Sequence, residues 1–242
     1  FIKKFIDKFR INKSRIDFIG LSGQTMYHNI EKKISIQLGS PHKLSKYFKV
    51  NVVSDFRIND IKNNGQGAPI GSYYHKYLLK IINSKALIIN LGGVANFSFL
   101  FNNKLISSDF GPANSISDDL TNFFYDKKYD NNGKFASLGK PNLEIVKIFL
   151  KDKYFTKKIP NSLDRNYFHK YIKRLKKLPK NDAICTSIHL ILESIIILLK
   201  KKNFKNINNI IFTGGGRNNK YLFQILQKKL NLVKISKIDD YG

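Results

Sequence analysis

The spacing of apolar residues changes part-way along this chain of 242 residues. Three apolar runs, over residues 86–93, 94–101 and 104–110, follow one another with Gly-Gly and Asn-Asn pairs between them. Short runs joined by such pairs predict three antiparallel strands. Ahead of them the pattern predicts a helix over 1–12, short strands in DFIGLSGQT and over 50–56, a polar loop as far as residue 71, and a helix over 72–83.

After the three strands the apolar spacing becomes helical. It predicts helices at about 115–128, 141–152, 164–177 and 182–202. The strand NNIIFTGGG, the helix NKYLFQILQKKL and the strand NLVKISKI complete the order. Strands followed by helices, then strand, helix and strand, predict an α/β protein with helices packed on a mixed sheet. We place a domain boundary near Ser84 and Lys85, where a helix gives way to strands.

Composition narrows the class of protein. The chain is 42% hydrophobic and 13% aromatic, so it can bury a core, and disorder is a poor description of it. Its one cysteine, Cys185, cannot form an internal disulfide and fits a reducing compartment. The most apolar segment, 184–199, contains His189 and Glu193 and is shorter than the roughly 20 apolar residues of a spanning helix. We therefore predict a core helix there.

The formal net charge of +26 raises the hypothesis of nucleic-acid binding, since lysine and arginine release counterions from phosphates. The lysines are scattered through nearly every segment, together with many asparagine, isoleucine, phenylalanine and tyrosine residues. That mixture is typical of an A+T-rich genome, because these residues have A/T-rich codons. The densest cluster, residues 171–180, predicts a helix with a solvated basic face. A nucleic-acid-binding protein remains an alternative, and steep salt dependence of binding would identify it.

Three aspartates lie around a Gly-Pro turn in SSDFGPANSISDD, residues 107–119. Ser115 and Asp118 have the spacing of a capping box, and Asp119 lies near the positive end of the same helix dipole. These two carboxylates therefore have a structural explanation. Asp109 lies outside the helix, at the end of a strand, and is the candidate for chemistry.

Two glycine-rich turns are candidate phosphate or nucleotide sites. In TGGGRNNKYL a strand ends in glycines and restarts as a helix, so N–H groups are exposed and a ligand can approach the main chain. In NLGGVANFSF the pair Gly92-Gly93 forms a hairpin tip flanked by Asn90 and Asn96. Each turn alone is equally typical of an ordinary tight turn.

A third polar segment, residues 55–70, combines acids, an arginine and an amide with glycines. Such side chains suit the hydroxyls and carboxylate of a small polar ligand, although a solvated surface loop has the same composition. SGQTMYH adds Gln24, Thr25 and His28, and a lone histidine is more often structural than catalytic. No set of histidine, cysteine or carboxylate residues has metal-ligand spacing, so we predict no protein-bound metal site.

Seven stretches, taken in order, resemble the anhydro-N-acetylmuramic acid kinases: SGQTMYH, QLG, VVSDFRINDI, NGQGAPI, NLGGVANFS, DFGPANSISD and TGGGRNNKYL. They cover the chain from about Ile16 to its end. The family shares a superfamily with actin, hexokinase and the heat-shock chaperone ATPases. The resemblance therefore implies an α/β, actin-like (ribonuclease H-like) fold. Residues 1–84 would be the remaining part of the first domain, on the sugar side, and residues 85–242 most of the second domain, on the nucleotide side.

The resemblance also implies a reaction and the residues that perform it. ATP phosphorylates the sugar 6-oxygen while water opens the 1,6-anhydro bridge, which gives N-acetylmuramic acid 6-phosphate during cell-wall recycling. Asp109 would be the base that activates the water, with Mg²⁺ bridging the phosphates. The expected nucleotide-binding residues are Gly92, Gly93, Asn96, Thr213, Gly214, Gly215, Gly216 and Asn219. The expected sugar-binding residues are Gln24, Arg57, Asp60, Gln66 and Gly67.

The chain departs from the family pattern in several places. No stretch matches the family's opening phosphate loop of the G-T-S-x-D-G type, which leads us to expect a fragment that lacks both termini. Ser22, Ser40, Phe110 and Ala113 stand where the family has His, Asp, Thr and Gly. The alternative is an inactive or merely nucleotide-binding relative on the same fold. We expect a cytoplasmic protein whose partners are the sugar and ATP, without a specific nucleic acid or a membrane, and leave a homodimer open.

Overall fold

The computed structural model describes residues 1–82, 85–204 and 206–241. The chain divides into two compact units, residues 1–70 and 71–242. The predicted boundary near Ser84 and Lys85 falls partly on residue 84, which lies outside the described residues. The helix before it belongs to the second unit, because it packs against the strands that follow. The assignment of domains to a sugar side and a nucleotide side stays a prediction.

The first unit contains two small sheets and three short helices. Its elements are α1 (Ile2–Lys8), β1 (Phe18–Gly20), β2 (Gln24–Asn29), β3 (Ile34–Leu38), α2 (Pro41–Phe48), β4 (Asn51–Val53) and α3 (Phe56–Lys62). Strands β1 and β4 pair in parallel, and β2 and β3 form an antiparallel hairpin. Ile6, Phe48 and Val50 form a small core.

Several predictions for this unit were wrong in their bounds. The helix predicted over 1–12 ends at Lys8, and the strand predicted over 50–56 covers only Asn51–Val53. The segment predicted as a polar loop begins with helix α3, and the β2–β3 hairpin and α2 were not predicted. Helix α2 has a clear local signal, since the Ser40 hydroxyl accepts a hydrogen bond from the Lys43 N–H at 3.3 Å and Pro41 occupies the first turn.

The second unit has a five-stranded sheet in the order β7-β6-β5-β8-β9. Strands β5, β6 and β7 form the predicted antiparallel meander, and β5, β8 and β9 run in parallel, which confirms the predicted mixed sheet. The elements are α4 (Ser72–Ile82), β5 (Ala86–Leu91), β6 (Val94–Phe101), β7 (Lys104–Pro112), α5 (Asn114–Tyr125), α6 (Leu143–Leu150), α7 (Ile172–Leu175), α8 (Lys180–Lys200), β8 (Asn209–Thr213), α9 (Lys220–Lys229) and β9 (Lys234–Lys237). The helix predicted over 164–177 is instead a 3₁₀ segment, Tyr167–Tyr171, followed by α7.

Strand β5 is buried on both faces and organises the core. Leu87 and Ile89 belong to the large cluster formed with helices such as α5 and α8. Ile88, which points to the opposite face, packs with Leu78 and Leu79 of α4. The sheet therefore lies between helices on both faces, as its continuous apolar strands indicate.

Helix α8 passes through this core. By length and composition alone it could cross a membrane, but 67% of its most apolar window is buried inside the protein. Cys185 lies in the same helix and is fully buried. The prediction of a core helix is therefore confirmed.

Candidate active site

Four polar residues form one row across the end of the large sheet. Asp109 of β7 pairs with Asn96 of β6, Asn96 with Asn90 of β5, and Asn90 with Thr213 of β8. Each is half-buried, whereas the flanking positions are mostly apolar and buried. The structure thus brings Asp109, Asn96 and Thr213, which the sequence analysis selected from three separate motifs, to the same level of the sheet.

A β-bulge lies next to Asp109. Ala95 pairs with Gly111 and the next residue, Asn96, pairs with Asp109, so that Phe110 has no partner of its own. Phe110 is buried and its ring packs 6.2 Å from that of Phe97. The bulge places an apolar ring in the core immediately beside the polar row.

The segment 161–163 holds Asp109 in place along the edge strand. The Leu163 N–H donates to Asp109 Oδ2 at 2.8 Å, and the Asp109 N–H donates to the Asn161 carbonyl at 3.0 Å. The Ser108 hydroxyl donates to the same carbonyl at 3.0 Å. One carboxylate oxygen of Asp109 is therefore fixed by the main chain, which orients the whole group.

The hairpin tip Gly92-Gly93 holds the start of helix α5. The N–H groups of Ala113 and Ser115 donate to the Gly93 carbonyl, at 3.3 and 3.4 Å, and that of Asn114 donates to the Gly92 carbonyl at 2.9 Å. Because these carbonyls satisfy donors at the helix start, no capping box is needed. The predicted Ser115–Asp118 box was wrong, since the helix begins at Asn114 and Ser115 is buried within its first turn.

Asn114 connects the two glycine turns. Its side-chain amide donates to the Leu91 carbonyl at 2.9 Å, next to the hairpin tip. A Cβ atom on Gly216 would lie 2.8 Å from Asn114 Oδ1 and 2.6 Å from Leu91 Cβ, so glycine is required at 216 for this close packing. Gly214 adopts a φ of +77° and packs against the end of β5, where a Cβ would lie 2.5 Å from Asn90 Oδ1.

Gly93, at the hairpin tip, has more open surroundings than Gly214 and Gly216. A Cβ on Gly93 would meet no atom closer than 3.8 Å, and there the neighbour is the Arg165 side chain. Gly93 is exposed, and Arg165 lies 3.9 Å from Asp119 in a solvated ion pair. A guanidinium and an open main chain therefore lie together at the hairpin tip, a combination that suits an anion.

A cavity of about 360 Å³ lies between the 213–216 turn, helix α5 and the segment 129–132. Ligand pockets in proteins have volumes of about 300–1,000 Å³. No lysine or arginine lines this cavity, although the chain has 43 of them. Its lining residues are Asn114, Ser117, Asp118, Tyr129, Asp130, Asn131, Asn132, Gly215, Gly216, Asn218 and Asn219. Amides, hydroxyls and carboxylates suit an uncharged polar ligand better than phosphates.

Two carboxylates line this cavity and both have raised pKa values. Burial, and then the neighbouring charge of Asp119, raise the pKa of Asp118 to about 6. Burial also raises the pKa of Asp130, although this carboxylate accepts hydrogen bonds from the Phe135 and Ala136 N–H groups at 2.9 and 3.0 Å. Asp130 thus shapes the wall of the cavity, and Asp118 is a carboxylate facing its interior.

Asn219 and Arg217 stabilise the glycine turn. The Asn219 side chain caps α9 by accepting from the Leu222 N–H at 3.0 Å. Arg217 donates to the Gly214 carbonyl at 2.9 Å and pairs with Asp239 at 2.6 Å. The turn is held by these contacts at both of its ends.

The first unit carries the predicted sugar-side residues. Arg57 donates to the Gly67 carbonyl at 2.8 Å, and Asp60 Oδ2 accepts from the Gly67 N–H at 2.7 Å. The carbonyl of Gln66 contacts the His28 ring at 3.0 Å. These contacts fold the segment 65–67 onto α3, while Gln24 begins strand β2 with an exposed side chain. Both ring nitrogens of His28 have hydrogen-bond partners, the Ser35 hydroxyl at 2.9 Å and the Gln66 carbonyl, and the structural role favoured for this histidine stays a prediction.

The four departures from the family pattern have simple surroundings. Ser40 caps α2, as an aspartate can, and Phe110 lies in the core. Ala113 is buried just before helix α5, and its N–H donates to the Gly93 carbonyl at 3.3 Å. Ser22 is exposed. None of these four residues disrupts the polar row or the glycine turns.

Sequence reasoning missed several residues of this site. Asn114 lies in the stretch DFGPANSISD but was not selected as a site residue. Asp118 was interpreted as part of a helix capping box. The segment 161–163 reaches Asp109 from far along the chain, and no local pattern indicates that contact. Among the described residues, no group of three or more His, Cys, Asp or Glu side chains could hold a metal ion.

The chain was compared with known proteins. A family model described as anhydro-N-acetylmuramic acid kinase matches residues 1–242. The chain is 34% identical over 255 residues to the anhydro-N-acetylmuramic acid kinase of Sulfurimonas denitrificans, and the match covers 100% of the chain and 68% of that protein. It is 35% identical over 227 residues to the protein of the same name from Gamma-proteobacterium EBAC31A08, covering 91% of the chain and 62% of that protein. The chain thus spans about two thirds of the length of these curated relatives.

Solved structures with a related fold were found. One of them, component A of the (R)-2-hydroxyglutaryl-CoA dehydratase of Acidaminococcus fermentans, aligns with a TM-score of 0.50 and 13% identity, over 98% of the chain and 75% of that protein. This likeness concerns the fold alone. Together with the mixed sheet flanked by helices, it confirms the predicted α/β fold of the actin-like class.

Proposed function

The chain belongs to the anhydro-N-acetylmuramic acid kinase family, and we propose that it converts 1,6-anhydro-N-acetylmuramic acid to N-acetylmuramic acid 6-phosphate with ATP. The observation that carries this proposal is the position of Asp109. Its carboxylate is oriented by the Leu163 N–H, and it lies in one row with residues beside both glycine turns. The reaction belongs to the recycling of cell-wall sugars.

Asp109 is the general base in this proposal. It takes a proton from the water that attacks the anomeric carbon, the bond from that carbon to the 6-oxygen breaks, and the 6-oxygen bonds to the γ-phosphorus as ADP leaves. An ionised aspartate, with a reference pKa of about 3.9, is a weak base. It must therefore be positioned accurately, and the main-chain hydrogen bond to Oδ2 supplies that positioning.

The nucleotide would bind across the two glycine turns. Gly92 and Gly93, with Asn96 behind them, would approach the phosphates, since the tip is open and Arg165 lies beside it. Thr213, Gly214, Gly215, Gly216 and Asn219 would face the adenosine, next to a cavity without lysine or arginine. Mg²⁺ would offset charge on the phosphates, and most of its ligands would come from phosphate and water, as is usual for this ion.

The sugar would contact residues of the first unit. Gln24 is exposed, and Arg57, Asp60, Gln66 and Gly67 belong to one hydrogen-bonded segment. The polar side chains of these residues are of the kinds that bind hydroxyls and a carboxylate. We further expect a cytoplasmic protein without a specific nucleic-acid or membrane partner, and leave a homodimer open.

Isotope labelling tests the reaction directly. The full-length gene product is incubated with ATP, Mg²⁺ and the anhydro sugar in H₂¹⁸O, and the product is analysed by mass spectrometry. The proposal requires one ¹⁸O atom at the anomeric hydroxyl and an unlabelled phosphate ester at the 6-oxygen. Nucleotide binding without any sugar phosphate would instead identify an inactive relative of the same fold.

A further inference from the structure

A second, much smaller cavity lies beside Asp109. It is bounded by the start of the bulge in β7, by the segment 154–161 and by the second half of α8. The space that the centre of a water molecule can occupy in this cavity is about 20 Å³. Roughly 10–15 Å³ of such space is enough to hold one water. Its polar lining includes Asp109, Tyr154, Asn161 and Ser194, so a water there would have partners.

The Tyr154 hydroxyl is the unusual group in this lining. Tyr154 is only 4% exposed, and its hydroxyl has no hydrogen-bond partner among the described residues. A buried hydroxyl without a partner is costly, and in most proteins a protein group or an ordered water satisfies it. The unsatisfied hydroxyl and the water-sized cavity therefore point to the same occupant.

The Tyr154 ring cannot turn its hydroxyl to solvent. The ring packs against Phe168 and Tyr167, with ring centroids 5.4 and 5.6 Å away. The main-chain N–H of Tyr154 donates to the buried Asp152 carboxylate at 2.9 Å. The ring packing and the main-chain hydrogen bond therefore hold Tyr154 in place in the lining of the cavity.

We propose that a water in this cavity connects the Tyr154 hydroxyl to the Asp109 carboxylate, which makes Tyr154 a positioning residue for the base. The inference rests on the proposed function, because Asp109 is the base in that reaction. Tyr154 donates to the water and the water donates to the carboxylate. Burial and the negative charge of Asp109 both raise the pKa of Tyr154, so the hydroxyl keeps its proton and remains a donor.

This arrangement has a consequence for the acidity of Asp109. A hydrogen bond donated to the charged form of an acid lowers its pKa, and loss of the bond raises it. Lys157, Lys158 and Lys201 also line the cavity. These lysines are present with and without the hydroxyl, so a Tyr154→Phe variant isolates the contribution of the water bridge.

The test combines a pH profile with a crystal structure of the full-length gene product. We expect the Tyr154→Phe variant to lose the water bridge, so that the acid limb of its kcat/KM profile moves to higher pH by roughly half a pH unit to one pH unit. We expect the crystal structure of the unsubstituted protein to contain a water within hydrogen-bond distance of Tyr154 Oη and an Asp109 oxygen. The crystallographic readout does not need activity, so it decides on the water even if no sugar is phosphorylated.

Tyr171→Phe is the matched control. Tyr171 is also buried in this aromatic cluster, but its hydroxyl donates to Asp152 Oδ2 at 2.8 Å. We expect this variant to lose thermal stability while its acid limb stays in place. An unchanged acid limb in Tyr154→Phe, or the absence of an ordered water at Tyr154 Oη, would overturn the inference, and so would equal shifts in both variants.

Discussion

Asp109 and Thr213 lie at opposite ends of one row of paired residues, with Asn96 and Asn90 between them. The row crosses four strands, so the proposed base and the 213–216 turn are both attached to the central sheet of the second unit. Catalytic groups placed on strands are held more precisely than groups on loops.

The first prediction concerns the proposed base. Asp109→Asn retains a side-chain oxygen for the Leu163 N–H, so the fold should survive, but an amide cannot accept the proton of the water. We expect kcat to fall by about 10²–10⁴, the usual contribution of general-base catalysis. A coupled assay of ADP release measures it, with Asp119→Asn as a neighbouring carboxylate control. Residual activity within about tenfold of the unsubstituted protein would rule out this role.

The glycine turns should respond differently to an added methyl group. Gly216→Ala places a Cβ 2.6 Å from Leu91 Cβ and should reduce the free energy of unfolding by about 1–3 kcal/mol. Gly93→Ala meets nothing closer than 3.8 Å and should leave stability within about 0.5 kcal/mol.

Because Gly93 is exposed at the proposed phosphate site, we expect Gly93→Ala to weaken ATP binding roughly tenfold, equivalent to about 1.4 kcal/mol. Urea denaturation and calorimetric titration with ATP give the two quantities. Unchanged ATP affinity in Gly93→Ala would mean that the hairpin tip is an ordinary turn.

We expect the buried carboxylate of Asp118 to reduce the stability of the folded protein at neutral pH. Its pKa is raised to about 6, so its ionised form destabilises the folded state above that pH, and the cost disappears below the ordinary aspartate pKa. After allowance for solvent screening, Asp118→Asn should raise the free energy of unfolding by about 1 kcal/mol at pH 7.5 and by almost nothing at pH 4. Denaturation at both pH values tests this, and a loss of stability at pH 7.5 would refute it.

Asp152 should behave in the opposite way. Burial alone would raise its pKa, but hydrogen bonds from Lys170, the Tyr154 N–H, Tyr171 and Tyr167 outweigh burial and lower it. Its stabilisation is therefore present above the ordinary aspartate pKa and is lost as the pH falls through the lowered value. We expect Asp152→Asn to reduce the free energy of unfolding by about 2 kcal/mol at neutral pH. Thermal unfolding measures the effect, the exposed Glu144→Gln serves as control, and equal losses in both variants would contradict it.

The sequence predicted the parts of this fold that depend on short-range patterns. The meander of β5, β6 and β7 has long apolar runs and clear turn residues, and its prediction was confirmed. The β2–β3 hairpin was not predicted, although Ile34, Ile36 and Leu38 alternate with polar residues in β3; these apolar side chains are exposed in the structure and do not form a core. The Ser115 capping box was wrong because carbonyls from Gly92 and Gly93, on a different element, satisfy the same donors.

The candidate site was predicted only in part for a similar reason. Glycine turns and a strand-end aspartate are visible locally, and resemblance to a family linked them. The Leu163 N–H and the Tyr154 hydroxyl reach Asp109 from positions far along the chain, and neither has a distinctive sequence signal. The roles assigned to the individual site residues stay predictions.

Asn114 contacts both glycine turns that we propose to bind the nucleotide. Its main-chain N–H holds Gly92, its amide holds the Leu91 carbonyl, and its side-chain oxygen packs against Gly216. One residue thereby connects the two glycine turns. We therefore expect the proposed nucleotide site to be largely preformed, so that a nucleotide of the wrong shape is excluded with little induced fit between the two turns.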